Sequence, residues 1–237
     1  MFRDRQDAGR RLAEALQAAG VQVDVVLGIP RGGVVVARPV ADRLKCALDV
    51  VMARKVGSPR NPEFAIGAVT PDGEVFMDER LAEYLGVNRD SIEAQARQVK
   101  AEIERRLRLY RAGHPGQNLA GKRVLVVDDG IATGSTVRAA VEYLRRQGAT
   151  YIAVAVPVAS NDARRLLVPT VDDFFAPLVP EDFYAVGQFY HDFAPAEDEE
   201  IVALLRPVSH QEESVRPQRS SAGQESEDGT ACRQLKE

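Results

Sequence analysis

The stretch Val124-Leu125-Val126-Val127-Asp128-Asp129-Gly130-Ile131-Ala132-Thr133-Gly134-Ser135-Thr136 limits what this chain can fold into more than any other. Its apolar run reads as a buried strand, because no polar residue alternates with the hydrophobic ones. Two adjacent carboxylates end the run, and a loop of small and hydroxyl-bearing residues follows. Val137, Ala140, Val141 and Leu144 then mark an amphipathic helix. A helix start with small residues offers backbone N–H groups to a phosphate. Carboxylates beside it cannot bind that phosphate. They suit hydroxyls or a bridging divalent cation, so the implied ligand carries both a phosphate and a sugar.

Two other readings of the motif fail on detail. A Walker-type phosphate loop needs Gly-Lys-Ser/Thr, whereas Thr136 follows Ser135 and no lysine is near. A receiver domain also has acids at a strand end, but does not normally follow them with Thr-Gly-Ser-Thr and a helix.

The rest of the chain repeats the alternation of strand and helix. A helix is expected over 5–19, stopped by Gly20, and a strand over 23–27, ending in Gly28-Ile29-Pro30-Arg31-Gly32-Gly33. Residues 34–46 read as a helix that Pro39 kinks or delays, and 48–52 as the second buried strand. Residues 53–62 read as a basic loop. Residues 65–69 and 74–77 form a hairpin about the turn Thr70-Pro71-Asp72-Gly73. Helices are expected over 78–85, 90–111 and 161–167, with strands over 151–156 and around Phe174-Phe175. The expected fold is therefore α/β, a doubly wound, mostly parallel sheet with a β-hairpin and a small additional segment. Ligands of such sheets sit beyond the carboxyl ends of the strands.

Three further segments join the motif. Gly32 and Gly33 let backbone approach a charged ligand closely, and Arg31 adds a fork of donors for phosphate oxygens. A structural turn would also explain that loop taken alone. Arg54-Lys55-Val56-Gly57-Ser58-Pro59-Arg60 is basic, and a solvated charge cluster is the plainer reading. Aromatic residues, 6% of the chain, gather over 183–193, where packing onto the core is an equal explanation. Glu63 fits either a base-contacting acceptor or a hairpin cap, and His191 and His210 read as surface residues.

The strand, acid pair and Thr-Gly-x-Thr loop resemble the signature of type I phosphoribosyltransferases, which bind phosphoribosyl pyrophosphate (PRPP). The likeness extends over about residues 2–206 and is similar to a bacterial group within that family. By that resemblance Asp128 and Asp129 hold the ribose hydroxyls and touch Mg²⁺ through water. Ala132, Thr133, Gly134, Ser135 and Thr136 hold the 5′-phosphate, and Arg31, Gly32 and Gly33 the pyrophosphate. Arg54 and Lys55 lie in a flexible-loop region and stabilise the leaving group. Phe183 and Tyr190 belong to a hood that reads the base, and the Pro30–Arg31 peptide is expected to be cis. The implied activity is transfer of the 5-phosphoribosyl group from PRPP to a nucleobase-like acceptor with release of pyrophosphate. Two alternatives stand beside it: a regulator that binds PRPP or a nucleotide with little catalysis, and a hydrolase of phosphorylated sugars. A homodimer is common for the fold and is carried as an expectation.

Composition narrows the setting. A net charge of −4 and a pI near 5.6 argue against general nucleic-acid affinity. Cys46 and Cys232 lie far apart with no metal spacing, which suggests a reducing compartment. No apolar run approaches the roughly 20 residues of a membrane span, and the N-terminus lacks a signal-peptide core. A cytoplasmic protein with no membrane partner is expected. Residues 1–208 are read as one phosphoribosyltransferase domain and 209–237, rich in Ser, Gln, Glu, Arg and Gly, as a disordered tail.

Overall fold

The computed structural model describes residues 1–58, 61–77, 83–84 and 89–206. Met1–Arg206 forms one compact unit. The expected tail over 209–237 and Cys232 lie outside the described residues, as does most of the expected short helix over 78–85. Cys46 is a free thiol.

The main sheet is wholly parallel. Its strands are β1 (Val25–Gly28), β2 (Ala47–Val50), β6 (Arg123–Val127), β7 (Tyr151–Ala155) and β8 (Asp173–Phe175), in the order β2-β1-β6-β7-β8. The two-residue period of a strand explains the layers. Val25, Leu27, Val124, Val126, Ile152 and Val154 face one side, where Val137, Ala140, Val141 and Leu144 of α4 (Ser135–Arg146) cover them. Val26, Leu125, Val127, Ala153 and Ala155 face the other, under Leu12 and Leu16 of α1 (Arg5–Ala18) and Val36, Ala37 and Val40 of α2 (Gly32–Leu44). A strand apolar at every position is thus buried on both faces. No helix among the described residues is long and apolar enough to cross a membrane.

Local chemistry accounts for the helix ends. Asp4 caps α1 by accepting from Asp7 N at 2.7 Å. Helix α2 starts at Gly32, two residues before the expected start, and Pro39 lies inside it rather than delaying it. Gly9 of α1 lets the two helices meet: a Cβ there would lie 2.6 Å from the Val36 carbonyl oxygen and 2.7 Å from Pro39 Cγ.

Of the region read as a basic loop, residues 54–58 and 61–62 are instead strand. β3 (Arg54–Ser58), β4 (Asn61–Val69) and β5 (Val75–Met77) form an antiparallel sheet. The expected hairpin is its β4–β5 half, closed by Gly73 N donating to Thr70 O at 2.8 Å. Val56 is buried while its neighbours Arg54 and Lys55 are exposed. Val56 and Val69 pack with Ile92, Ile103 and Tyr110 of α3 (Arg89–Tyr110) and Ile201 of α6 (Asp198–Leu205). Buried Asp49 on β2 takes Arg111 Nε at 2.9 Å, Arg111 Nη2 at 3.1 Å and Gln117 N at 2.9 Å, which pins the end of α3 to the sheet. Helix α5 (Asn161–Leu167) follows β7 as expected, capped by Ser160 Oγ accepting from Ala163 N.

Candidate active site

The chain reverses its winding direction between β1 and β6. From β1 it moves outward to β2, and the later strands β6, β7 and β8 build on the opposite side. Ligands of open α/β sheets bind at such a switch point. Gly28 and Val127 are register partners at the carboxyl ends of these two strands, and Ile29 N donates to Val127 O at 2.9 Å. The loops after β1 and β6 therefore leave side by side, and each leads into a helix N-terminus.

Asp128 and Asp129 stand where β6 ends. Asp129 N donates to Asp128 Oδ1 at 2.8 Å. Arg5 Nε donates to Asp129 Oδ2 at 2.7 Å, with side chains only 12% and 16% exposed respectively. The Tyr190 hydroxyl donates to the Asp129 carbonyl oxygen at 2.5 Å. Burial, and then the adjacent Asp129 charge, pushes the Asp128 carboxyl well above the usual carboxylate range. Burial also raises Asp129, while the Arg5 hydrogen bond and charge oppose that rise.

Gly32 and Gly33 lie in the first turn of α2, pressed against these acids. A Cβ on Gly32 would fall 1.9 Å from Asp129 Oδ2, and one on Gly33 would fall 2.9 Å from Asp128 Oδ1. Gly32 is thus held to glycine by the Asp129 side chain, and Gly33 by the end of β6, where a Cβ would also lie 2.7 Å from Val127 O and 2.9 Å from Asp128 Cα. The Pro30–Arg31 peptide is cis, as expected.

The Ala132–Thr136 segment runs into α4. Gly134 is its N-cap at φ +79, a left-handed conformation that glycine adopts without penalty, and no side chain caps the helix. The N–H groups of the first turn are thereby left for a ligand. Thr133 Oγ1 and Ser135 Oγ lie 3.3 Å apart, and Ala132 and Thr133 are exposed. The loop is held from beneath: Ser160 Oγ donates to Ala132 O at 2.5 Å, and Ser160 N to Ile131 O at 2.9 Å.

Arg31, Arg54, Lys55 and Arg106 line one cavity of about 250 Å³ with Ile29, Pro30, Met52 and Ala53. Four cationic side chains in one concavity suit an anion with more than one phosphate. Three of them are partly neutralised by carboxylates. Arg31 Nη1 lies 3.6 Å from Glu197 and 3.9 Å from Asp198, Arg54 lies 3.7 Å from Glu102, and Arg106 Nε lies 2.7 Å from Glu102. Asp198 also accepts from the Tyr110 hydroxyl at 2.7 Å. Lys55 is exposed and has no ion-pair partner among the described residues.

The aromatic segment packs over the acid pair's loop. A Cβ on Gly130 would lie 2.5 Å from Val186 Cγ1, so that glycine admits the segment. Tyr190 is 6% exposed, with Phe2 and Phe193 at centroid distances of 5.4 and 5.0 Å. Its ring is packed and its hydroxyl holds Asp129. Phe183 is half-buried beside Phe189, at 5.4 Å.

Comparison with known proteins agrees with this geometry. The model of the phosphoribosyl transferase domain matches residues 3–194. The chain belongs to that family. A Mycobacterium tuberculosis relative with a provisional phosphoribosyl transferase name is 38% identical over 205 residues, covering 86% of this chain and 46% of the relative. The chain thus spans about half the length of that relative. An adenine phosphoribosyltransferase of the same species is 30% identical over 171 residues, 71% of this chain and 64% of that enzyme. A solved crystal structure from Thermus thermophilus is 44% identical with a TM-score of 0.74, covering 86% of this chain and 97% of that one.

For this phosphoribosyltransferase-family chain, the structure brings together the acid pair, the Ala132–Thr136 loop, Arg31 with its glycines, and the Arg54–Lys55 strand. Glu63 lies on β4, and its side chain is not among those described. His191 is exposed, and His210 lies outside the described residues. Sequence reasoning missed Arg5, Arg106 and the support role of Tyr190. Arg106 has a signal only in hindsight, since Glu102 four residues before it makes it read as an ordinary helical surface pair.

Proposed function

We propose that the chain transfers the 5-phosphoribosyl group from PRPP to a nucleobase-type nitrogen and releases pyrophosphate. The observation that carries this reading is the meeting, at one switch point, of a half-buried carboxylate pair, an uncapped helix N-terminus and a cavity with four cations. PRPP carries a diol, a monophosphate and a pyrophosphate, and each has a complementary surface here. The relationship to adenine phosphoribosyltransferases supports a base as acceptor.

In the proposed reaction the bond from ribose C1 to pyrophosphate oxygen breaks as the acceptor nitrogen bonds to C1. The acceptor nitrogen gives up its proton to solvent, and pyrophosphate departs with the electron pair of the broken C1–O bond. Asp128 and Asp129 orient the sugar through its hydroxyls. The first turn of α4 with Thr133, Ser135 and Thr136 holds the 5′-phosphate. Arg31, Arg54, Lys55 and Arg106 take up charge on the departing pyrophosphate, the main electrostatic work such a displacement asks of a protein.

The donor set bears on the metal. No group of three or more His, Cys, Asp or Glu among the described residues could hold an ion. One oxygen of each aspartate already accepts a protein hydrogen bond. This fits Mg²⁺ that would arrive with PRPP, with Asp128 and Asp129 as the residues that would hold it through water. When bound, it would neutralise pyrophosphate oxygens.

The test is incubation with Mg·PRPP and a panel of purines, pyrimidines and analogues, following pyrophosphate release. Release with one base, abolished in Asp128→Asn/Asp129→Asn with the fold intact, is expected. Normal turnover in that double variant would sink the assignment. PRPP binding without release across the panel would assign the regulatory role instead.

A further inference from the structure

Arg5 is the most constrained cation near the acid pair, and the PRPP reading gives it no role. Its position follows from the first residues of the chain. Phe2 N donates to Phe189 O at 2.8 Å, while His191 N donates to Phe2 O and Asp192 N to Arg3 O, each at 2.9 Å. Asp4 then caps α1, so Arg5 is the first residue of a rigid helix. That helix is fixed in turn against α2 by the close approach at Gly9.

Two of its donors and one face of the guanidinium are engaged. Nε donates to Asp129 Oδ2 at 2.7 Å and Nη1 to Ala194 O at 2.6 Å. Its plane lies over the Phe193 ring, with Cζ 3.8 Å from the centroid. Phe193 stacks on Tyr190, whose hydroxyl holds the Asp129 carbonyl. Asp129 is therefore clamped at its carboxylate by the N-terminal helix and at its backbone by the aromatic segment.

We infer that Arg5 is a positioning residue for the ribose site: by occupying Asp129 Oδ2 it fixes the carboxylate plane and directs the remaining oxygen, Oδ1, at the sugar hydroxyls. This rests on the PRPP reading given above. A carboxylate that accepts from a diol works only at one orientation, and a free aspartate at a strand end would lose rotamer freedom on each binding event. Arg5 removes that loss in advance. It also places a positive charge beside two neighbouring carboxylates that would otherwise repel each other. Lysine has one point of attachment and no plane to stack, so it can replace only part of this function.

The pyrophosphate cavity is lined by other residues, and this separates positioning from folding. Binding of Mg·PRPP and of magnesium pyrophosphate is measured by calorimetry on the full chain, Arg5→Gln, Arg5→Lys and Arg10→Gln. Arg10 pairs with Asp7 at 3.9 Å and is half exposed, so its variant serves as the control on the same helix. Outer partners of ligating groups are typically worth about 10–100-fold, and that loss of Mg·PRPP affinity is expected for Arg5→Gln. Its pyrophosphate affinity should stay unchanged, and Arg5→Lys should recover part of the loss. Undiminished PRPP affinity in Arg5→Gln overturns the inference. An equal fall of PRPP and pyrophosphate binding also overturns it, since Arg5 would then act through the fold. A wild-type protein that binds pyrophosphate but not PRPP overturns the PRPP reading itself, and the inference with it.

Discussion

Replacing Gly32 with alanine sets helix propensity against the packing of the acid pair. Gly32 is the first residue of α2, and alanine is the better helix former by about 1 kcal/mol at most. Propensity alone predicts a gain. The new methyl carbon, however, would stand 1.9 Å from Asp129 Oδ2, 2.5 Å from Arg5 Nε and 2.7 Å from Asp129 Cγ. Relief requires Asp129 to turn away, which breaks the 2.7 Å bond to Arg5. Overpacking costs about 1–3 kcal/mol and loss of a hydrogen bond between charged groups about 1.5–3. Less the helix gain, Gly32→Ala should cost about 2–5 kcal/mol. For a domain of this size that lowers Tm by roughly 5–15 °C. Urea unfolding followed by far-UV circular dichroism measures it, since the chain has no tryptophan. The same substitution in an Asp129→Ala background meets only the Arg5 side chain, released from its carboxylate, and should cost less, a coupling above about 1 kcal/mol. Gly32→Ala as stable as the parent, or equally costly in both backgrounds, would refute the reasoning.

Two further outcomes follow from the charges at the site. Asp128 has a folded-state pKa above its unfolded value, so the folded state holds its proton more tightly. Stability from this group is full below the unfolded pKa and falls as pH rises from the ordinary carboxylate range through the raised folded value. Asp128→Asn should therefore raise Tm at pH 8 by an amount that shrinks toward pH 4, and an equal shift at both pH values would contradict the burial argument. Separately, Glu197→Gln/Asp198→Asn should free Arg31 and strengthen magnesium pyrophosphate binding in calorimetry. Each exposed pair is worth about 0.2–1 kcal/mol, so the gain is up to about fivefold per pair. Unchanged or weaker binding would show that these carboxylates do not compete for the cation.

What the sequence discloses here is what is local. The run from Val124 to Leu144 carries its strand, acids, loop and helix within a span where each signal adjoins the next, and all four stand in the structure. β3 was hidden because Arg54 and Lys55 make its first residues look solvated, while the burial of Val56 depends on Ile92 and Ile103 far along the chain. Gly32 and Gly33 read as loop because their reason for being glycine lies far along the chain, in the Asp129 side chain and in the backbone at Val127 and Asp128. The burial of Tyr190 is not legible because the sequence records an aromatic cluster but not which face of each ring is covered.

The residues hardest to read from sequence are those that join the two ends of the described chain to the site. Arg5 reaches Asp129 across 124 positions, and Glu197 and Asp198 of α6 reach Arg31 from the other direction. The acids of α6 have a local reason to sit where they do, since Asp198, Glu199 and Glu200 occupy its first turn, where the helix dipole favours negative charge. That local preference also sets carboxylates against the cations of the cavity lined by Arg31, Arg54 and Arg106. Arg5 likewise follows a local cap, Asp4, and its helix start delivers a cation to the acid pair. Each helix N-terminus thus brings a charge to the half of the site that bears the opposite sign. The switch point between β1 and β6 supplies the two halves, and the segments before β1 and after β8 set how much of each charge is left for a ligand.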